Sequence, residues 1–292
     1  MSRLIHLPYQ PPWDWGQFQQ HFALRLLPGV EKLDETAYSR TLHVNGNPGW
    51  LAVQPLAERP ALILRLSDSV RAEELVISAR VRKMFDLDRD PAELVRHFSA
   101  DPALGAQVAA HPGLRLPAAF DPFEQAVRAI IGQQVSVKAA VTITRRLVDR
   151  LGEPLSDPQM PLLTRLFPTA QAIAGATLDK IGMPAKRLAA LQGLAAAVAD
   201  GALELHADEG HEAFVRRLCE LPGIGPWTAE YIALRGFGEA DAFPASDLGL
   251  IKAPLWGPRG LSVRELTSRA ESWRPYRGYA AIHLWHAYAR GG

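Results

Sequence analysis

The sequence predicts an α+β chain, with a small antiparallel sheet at its N-terminus and an all-α region after it. Three observations predict this. Short alternating apolar runs, each ended by turn-forming residues, fill the first 70 residues. From about residue 71 the apolar spacing becomes that of a helix. Gly or Pro then punctuates each segment rich in Ala, Leu and Arg, and no fixed-period repeat runs through them. A length of 292 residues fits about two domains. They are placed at 1–113, mixed α+β, and 114–292, helical, with the turn-rich stretch from Pro112 to Pro122 at the boundary.

The strands are expected at 18–27 (FQQHFALRLL), 37–44 (AYSRTLHV), 50–55 (WLAVQP) and 61–66 (ALILRL). Turns at 28–29, 45–49 and 58–60 separate them. Asn45-Gly46 suits a tight hairpin because both positions accept positive φ. A helix is expected over Glu73 to Asp86, where Leu75, Val76, Ala79 and Met84 fall near helical spacing. Short helices should follow Pro91 and Pro102, since proline suits a first turn. Further helices are expected at 122–132, 136–151, 184–199, 211–220, 226–236, 262–273 and 275–290.

At 48% apolar and 22% charged residues the chain has the composition of a packed protein, which excludes wholesale disorder. No apolar run approaches the roughly 18 residues of a membrane span, and prolines interrupt the N-terminus before a signal-like core forms. No membrane partner is therefore expected. The single cysteine, Cys219, can neither close an internal disulfide nor supply a four-cysteine cluster, so a reducing, cytoplasmic location is expected. Thirty-two basic against 31 acidic residues give a net charge of +1, which does not advertise a nucleic-acid partner.

The most informative segment is 221–231, LPGIGPWTAEY. Pro222 ends one helix, Gly223 and Gly225 permit positive φ and close backbone approach, and Pro226 opens the next helix. The result is a hairpin whose backbone N–H groups, aided by the helix dipole, form a seat for a phosphate without any lysine. A plain glycine-capped corner would read the same way from Gly-x-Gly alone. Sixteen residues after Tyr231 stands Asp247, in AFPASDLGL. Its position fits a helix N-cap, and equally a carboxylate in a partly apolar cleft.

LPGIGPWTAEYIALRGFG followed by FPASDLGL resembles the helix-hairpin-helix signature of the DNA glycosylase superfamily. RAIIGQQVSVKAA at 128–140 and RKMFDLDRDP at 82–91 narrow the resemblance to the bacterial 3-methyladenine DNA glycosylase II branch. It covers nearly the whole chain. It implies a helical glycosylase region behind the N-terminal domain, double-stranded DNA with alkylated bases as partner, no required cofactor, and a monomer. Asp247 takes the catalytic position, and Trp227, Tyr231, Trp285 and Leu248 take the base pocket. The DNA-binding hairpin comprises Gly223, Ile224, Gly225, Trp227 and Thr228. The family's wedge position is Gln134, where the enterobacterial member has leucine; Gln133 and Gln134 could instead cap the helix near Ser136. The family hairpin often holds a monovalent cation on backbone carbonyls, here those of Cys219, Leu221 and Ile224. Leu248 and His286 depart from the enterobacterial tyrosines.

Members that also cut the strand carry a lysine where this chain has Trp227, so water should be the nucleophile here. Breaking the N-glycosidic bond builds positive charge at the sugar, which a fixed carboxylate stabilises. An aromatic cleft selects cationic alkylpurines by stacking and cation–π attraction. The rival readings are a non-catalytic damaged-DNA module and a glycosylase/lyase for oxidised bases. The N-terminal sheet is expected to act as scaffold rather than as a DNA saddle.

Overall fold

The computed structural model describes residues 4–205 and 209–291. β3 (Tyr38–Val44) and β4 (Asn47–Pro55) form the central hairpin, with Tyr38 opposite Val53 and Val44 opposite Asn47. Its turn is the expected Asn45-Gly46 pair, at φ of 50° and 83°. β5 (Ala61–Leu66) continues the sheet beside β4. The short strands β1 (Ile5–Pro8) and β2 (Glu31–Leu33) form its edges, in the order β1-β5-β4-β3-β2, antiparallel throughout.

The segment 18–27 is not a strand. Most of it belongs to helix α1 (Trp15–Ala23). The stretch has no β-branched residue, and its two buried rings, Phe18 and Phe22, are four apart and share one helix face. Phe22 stacks on Tyr38 with centroids 4.1 Å apart, and Phe18 lies 5.0 Å from Phe85, which pins α1 to the sheet.

α2 (Glu74–Met84) packs on the same core through Ile77, Val81 and Met84, leaving Leu75 and Val76 exposed. The helices that follow are α3 (Pro91–Phe98), α4 (Leu104–Ala110), α5 (Pro122–Ile131), α6 (Val137–Leu151), α7 (Ala170–Ala174) and α8 (Ala185–Ala199). α9 (His211–Cys219), α10 (Pro226–Phe237), α11 (Leu248–Ile251), α12 (Val263–Ala270) and α13 (Arg277–Gly291) complete the chain. Proline stands in the first turn of α3, α5 and α10. All of α3 to α13 contribute to one apolar core, which includes Phe98, Ile130, Leu194, Phe214, Ile232 and Leu284. Among the described residues no helix is long and apolar enough to cross a membrane.

A buried polar network joins this core to the sheet. Glu124 on α5 accepts from Arg40 on β3 and, at 2.6 Å, from Arg128. Arg128 also donates to Glu31 at 2.9 Å, and Glu31 accepts from the Tyr38 hydroxyl at 2.7 Å. Burial pushes the Glu124 carboxyl up, but Arg40 and Arg128 prevail and hold it below the usual glutamate range.

Candidate active site

The glycine hairpin joins α9 to α10. Gly223 has φ of 86°, and a Cβ there would stand 2.6 Å from Cβ of Ala190 on α8, so the turn seats on α8 only as glycine. Gly223 and Gly225 are exposed, whereas Ile224 is buried and donates its N–H to the Leu221 carbonyl at 3.1 Å. Thr228 is likewise buried. Gln133 donates to the Gly223 carbonyl and to Thr228 Oγ1, both at 3.0 Å, and so ties the α5–α6 turn to the hairpin. The outward-facing groups of the expected hairpin set are therefore Gly223, Gly225 and the first turn of α10. Ile224 and Thr228 anchor it from within.

Gln133 is thus committed to the hairpin, and Ser136 caps α6 with its own side chain. Gln134 stands exposed with φ of 54°, between Gly132 and Val135, which both line a cavity beside the hairpin. The carbonyls of Cys219 and Ile224 accept no hydrogen bond among the described residues, and Leu221 accepts one. Three neutral carbonyl oxygens with spare lone pairs suit a monovalent cation.

The cavity holds about 470 Å³, within the range of ligand pockets. Trp227 and Tyr231, one helical turn apart on α10, stack with centroids 5.2 Å apart and planes 13° apart. Trp285 on α13 meets Tyr231 edge-on at 6.2 Å. Asp247 is the N-cap of α11, accepting from Gly249 N at 2.9 Å. The same carboxylate accepts the indole N–H of Trp285 at 2.8 Å and of Trp227 at 3.2 Å. Cap and cavity carboxylate are one group in two roles. Leu248, expected in the pocket, is not among the lining residues. It follows Asp247 by one position, about 100° further round the helix, and is exposed.

Several contributors were not anticipated. Gly249 admits Trp285, since a Cβ there would lie 2.9 Å from the indole Cδ1. Glu230 on α10 accepts from Phe243 N at 2.9 Å and pairs with His211 at 2.8 Å, which fixes the loop that delivers Asp247. Arg235 lies over the Trp285 ring at 4.8 Å, and burial pushes its pKa down to about 10. α1 and its C-cap also line the cavity, through Gln17, Gln20, His21 and, at the cap, Leu24. The spacing i, i+3, i+4, i+7 was the signal, hidden while the segment read as a strand. The N-terminal domain thus contributes α1 to the cavity lining as well as the sheet. None of the lining residues is a lysine, and Lys252 turns away to the Arg259 carbonyl at 3.1 Å.

Residues 4–121 match the AlkA N-terminal domain, and residues 127–254 match the HhH-GPD superfamily base excision DNA repair protein. DNA-3-methyladenine glycosylase 2 of Escherichia coli is 38% identical over 96% of each chain. A probable bifunctional transcriptional activator/DNA repair enzyme AlkA of Mycobacterium tuberculosis is 39% identical over 96% of this chain, which spans 56% of that protein. The 3-methyladenine DNA-glycosylase from Archaeoglobus fulgidus shares the fold at a TM-score of 0.83 and 22% identity, covering 99% of this chain and 98% of that one. The hairpin, the capped aspartate between two indoles and these matches together establish that the chain belongs to the AlkA family of helix-hairpin-helix base excision DNA repair proteins.

Proposed function

We propose that the chain is a monofunctional DNA N-glycosylase that removes alkylated purines from duplex DNA by flipping the nucleotide and hydrolysing its N-glycosidic bond. The observation that carries this reading is the Asp247 carboxylate, held at the cavity by both indole N–H groups beside the hairpin. Fixed there, it faces the positive charge that develops on the sugar and orients the attacking water. The faces of Trp227, Tyr231 and Trp285 receive the extruded base, and a cationic alkylpurine gains roughly 0.5–2 kcal/mol per good aromatic contact. With no amine lining the cavity, a Schiff base does not form. Gln134, exposed and flanked by the cavity-lining Gly132 and Val135, fills the gap left in the stack, at a few kcal/mol of unstacking. The amides of Gly223, Gly225 and the first turn of α10 bind a phosphate. A monovalent cation on the Cys219, Leu221 and Ile224 carbonyls would supply positive charge to that seat when bound. The protein works as a cytoplasmic monomer and requires no other cofactor.

Asp247→Asn is the test. Lesion-duplex binding should persist while single-turnover excision falls by about 10²-fold or more. Excision near the native rate removes Asp247 from the mechanism. The native protein should leave abasic sites unnicked, and a borohydride-trapped covalent adduct would contradict the monofunctional assignment.

A further inference from the structure

Three arginines line the cavity, and they differ in what answers their charge. Arg128 is held by Glu31 at 2.9 Å and by Glu124 at 2.6 Å. Arg25 is partly exposed, where water and salt screen it, and donates to the His21 carbonyl at 3.2 Å. Arg235 on α10 has neither form of relief. It is 7% exposed, and among the described residues no carboxylate stands within ion-pair distance of its guanidinium. Its Nη1 donates to the Pro117 carbonyl at 3.3 Å, and its buried Nε has no hydrogen-bond partner among the described residues. The guanidinium lies over the Trp285 ring, 4.8 Å from the centroid. Asp247 and Arg235 therefore hold the same indole, the one at its N–H and the other at its face. Burial lowers the Arg235 pKa to about 10, which leaves it charged at neutral pH.

A buried cation without a counter-ion acts strongly on whatever charge enters beside it. When the N-glycosidic bond breaks, its electron pair stays with the base nitrogen, while water adds to the sugar carbon and gives up a proton. A cationic alkylpurine leaves as a neutral base. A neutral damaged purine leaves as an anion and takes its proton from solvent afterwards. The positive charge on the sugar is common to both and cancels when the two are compared. Arg235 therefore separates them. It repels an incoming cationic base, which offsets the pull of the aromatic faces, and it stabilises the negative charge that builds on a departing neutral one. We propose that Arg235 is a specificity-determining residue of the cavity, whose buried charge extends excision from cationic alkylpurines to neutral damaged purines. The proposal rests on the glycosylase reading above and widens the substrate class of the same site.

The test uses the full-length protein and two lesions in duplex DNA that share a carbonyl at position 6: hypoxanthine, which is neutral, and 7-methylguanine, which is cationic. Single-turnover release of each free base is measured. Arg235→Gln and Arg235→Met should lower the ratio of hypoxanthine to 7-methylguanine release about tenfold or more, the effect of a unit charge a few ångströms away in a partly dry site. Arg235→Lys, which keeps the charge, should hold the ratio within about threefold of native. A group that only props Trp285 would slow both bases alike. An unchanged ratio, an equal fall for both bases, or a Lys variant that behaves as the Met variant overturns the proposal. So does an Arg25→Gln variant that shifts the ratio as far as Arg235→Gln. A further measurement needs no variant. The native ratio should be flat between about pH 6 and 8, because the neutral base departs without first being protonated, and a fall of about tenfold per pH unit overturns the proposal. Native protein that releases 7-methylguanine but no hypoxanthine overturns this proposal alone, whereas release of neither base refutes the glycosylase reading itself.

Discussion

Asp247 caps a helix and faces a cavity with the same two oxygens, and this double duty made it legible in the sequence. An aspartate before an apolar helical stretch is a cap signal, and the aromatic residues at fixed distances from it mark a cleft. Trp227 and Tyr231 were legible for a similar reason, since an i, i+4 pair shares a helix face. Leu248 was not, because motif position ignores the turn of the helix. A second residue with a measurable consequence is His283 on α13. Burial first, then His286 and His111, press its pKa down to about 3. Its unfolded value is near 6.5. Between those values the unfolded chain binds a proton that the folded chain refuses, so stability is full above pH 6.5 and declines as pH falls toward 3. His283 contributes about 1.4 kcal/mol per pH unit to that decline. His21 acts in the same direction. Urea unfolding of His283→Leu between pH 6.5 and 4.5 should have a slope shallower by about one proton than the native protein's. An unchanged slope would mean that His283 is protonated in the fold.

At the scale of the element, the hairpin makes the sharpest forecast, because its two glycines do different work. Gly223→Ala must take positive φ and push against Ala190, so it should destabilise the fold by about 1–3 kcal/mol and displace the proposed phosphate seat. Gly225 has extended backbone and open space about its Cα. Gly225→Ala should therefore cost under about 1 kcal/mol as an N-cap change, yet weaken binding of an abasic duplex by placing a methyl at the proposed phosphate contact. Urea melts and fluorescence anisotropy separate the two effects. Native affinity in Gly225→Ala would remove the hairpin amides from DNA binding. The hairpin, β3 to β5 and the long helices were readable because proline, glycine and apolar period agree there. α1 was not, because in ten residues alternation and helical spacing both find matches, and only tertiary packing of Phe18 and Phe22 decides between them. β1 and β2 are edge strands of four and three residues, too short to carry a pattern.

Across the whole molecule, the two cores meet at the charge network of Arg40, Glu124, Arg128 and Glu31. Removing one member leaves buried charge uncompensated. Glu124→Gln should cost about 3–5 kcal/mol, read as a lowered melting temperature. It should also slow the proposed excision, because Arg128 of this network is itself part of the cavity lining. A variant with native stability and native turnover would show that the network is incidental. The sequence contained these charges but no hint that they met, since Arg40 and Glu124 lie 84 positions apart.

That α1 and Asp247 line one cavity has an evolutionary consequence. The carboxylate and the two indoles come from positions 227, 247 and 285, while α1, which lines the same cavity, comes from positions 15–23. Sequence change confined to that short segment reshapes one part of the cavity lining while leaving the carboxylate and its two indoles untouched. A chimera carrying a relative's α1 would exchange that part of the lining and keep Asp247 between Trp227 and Trp285.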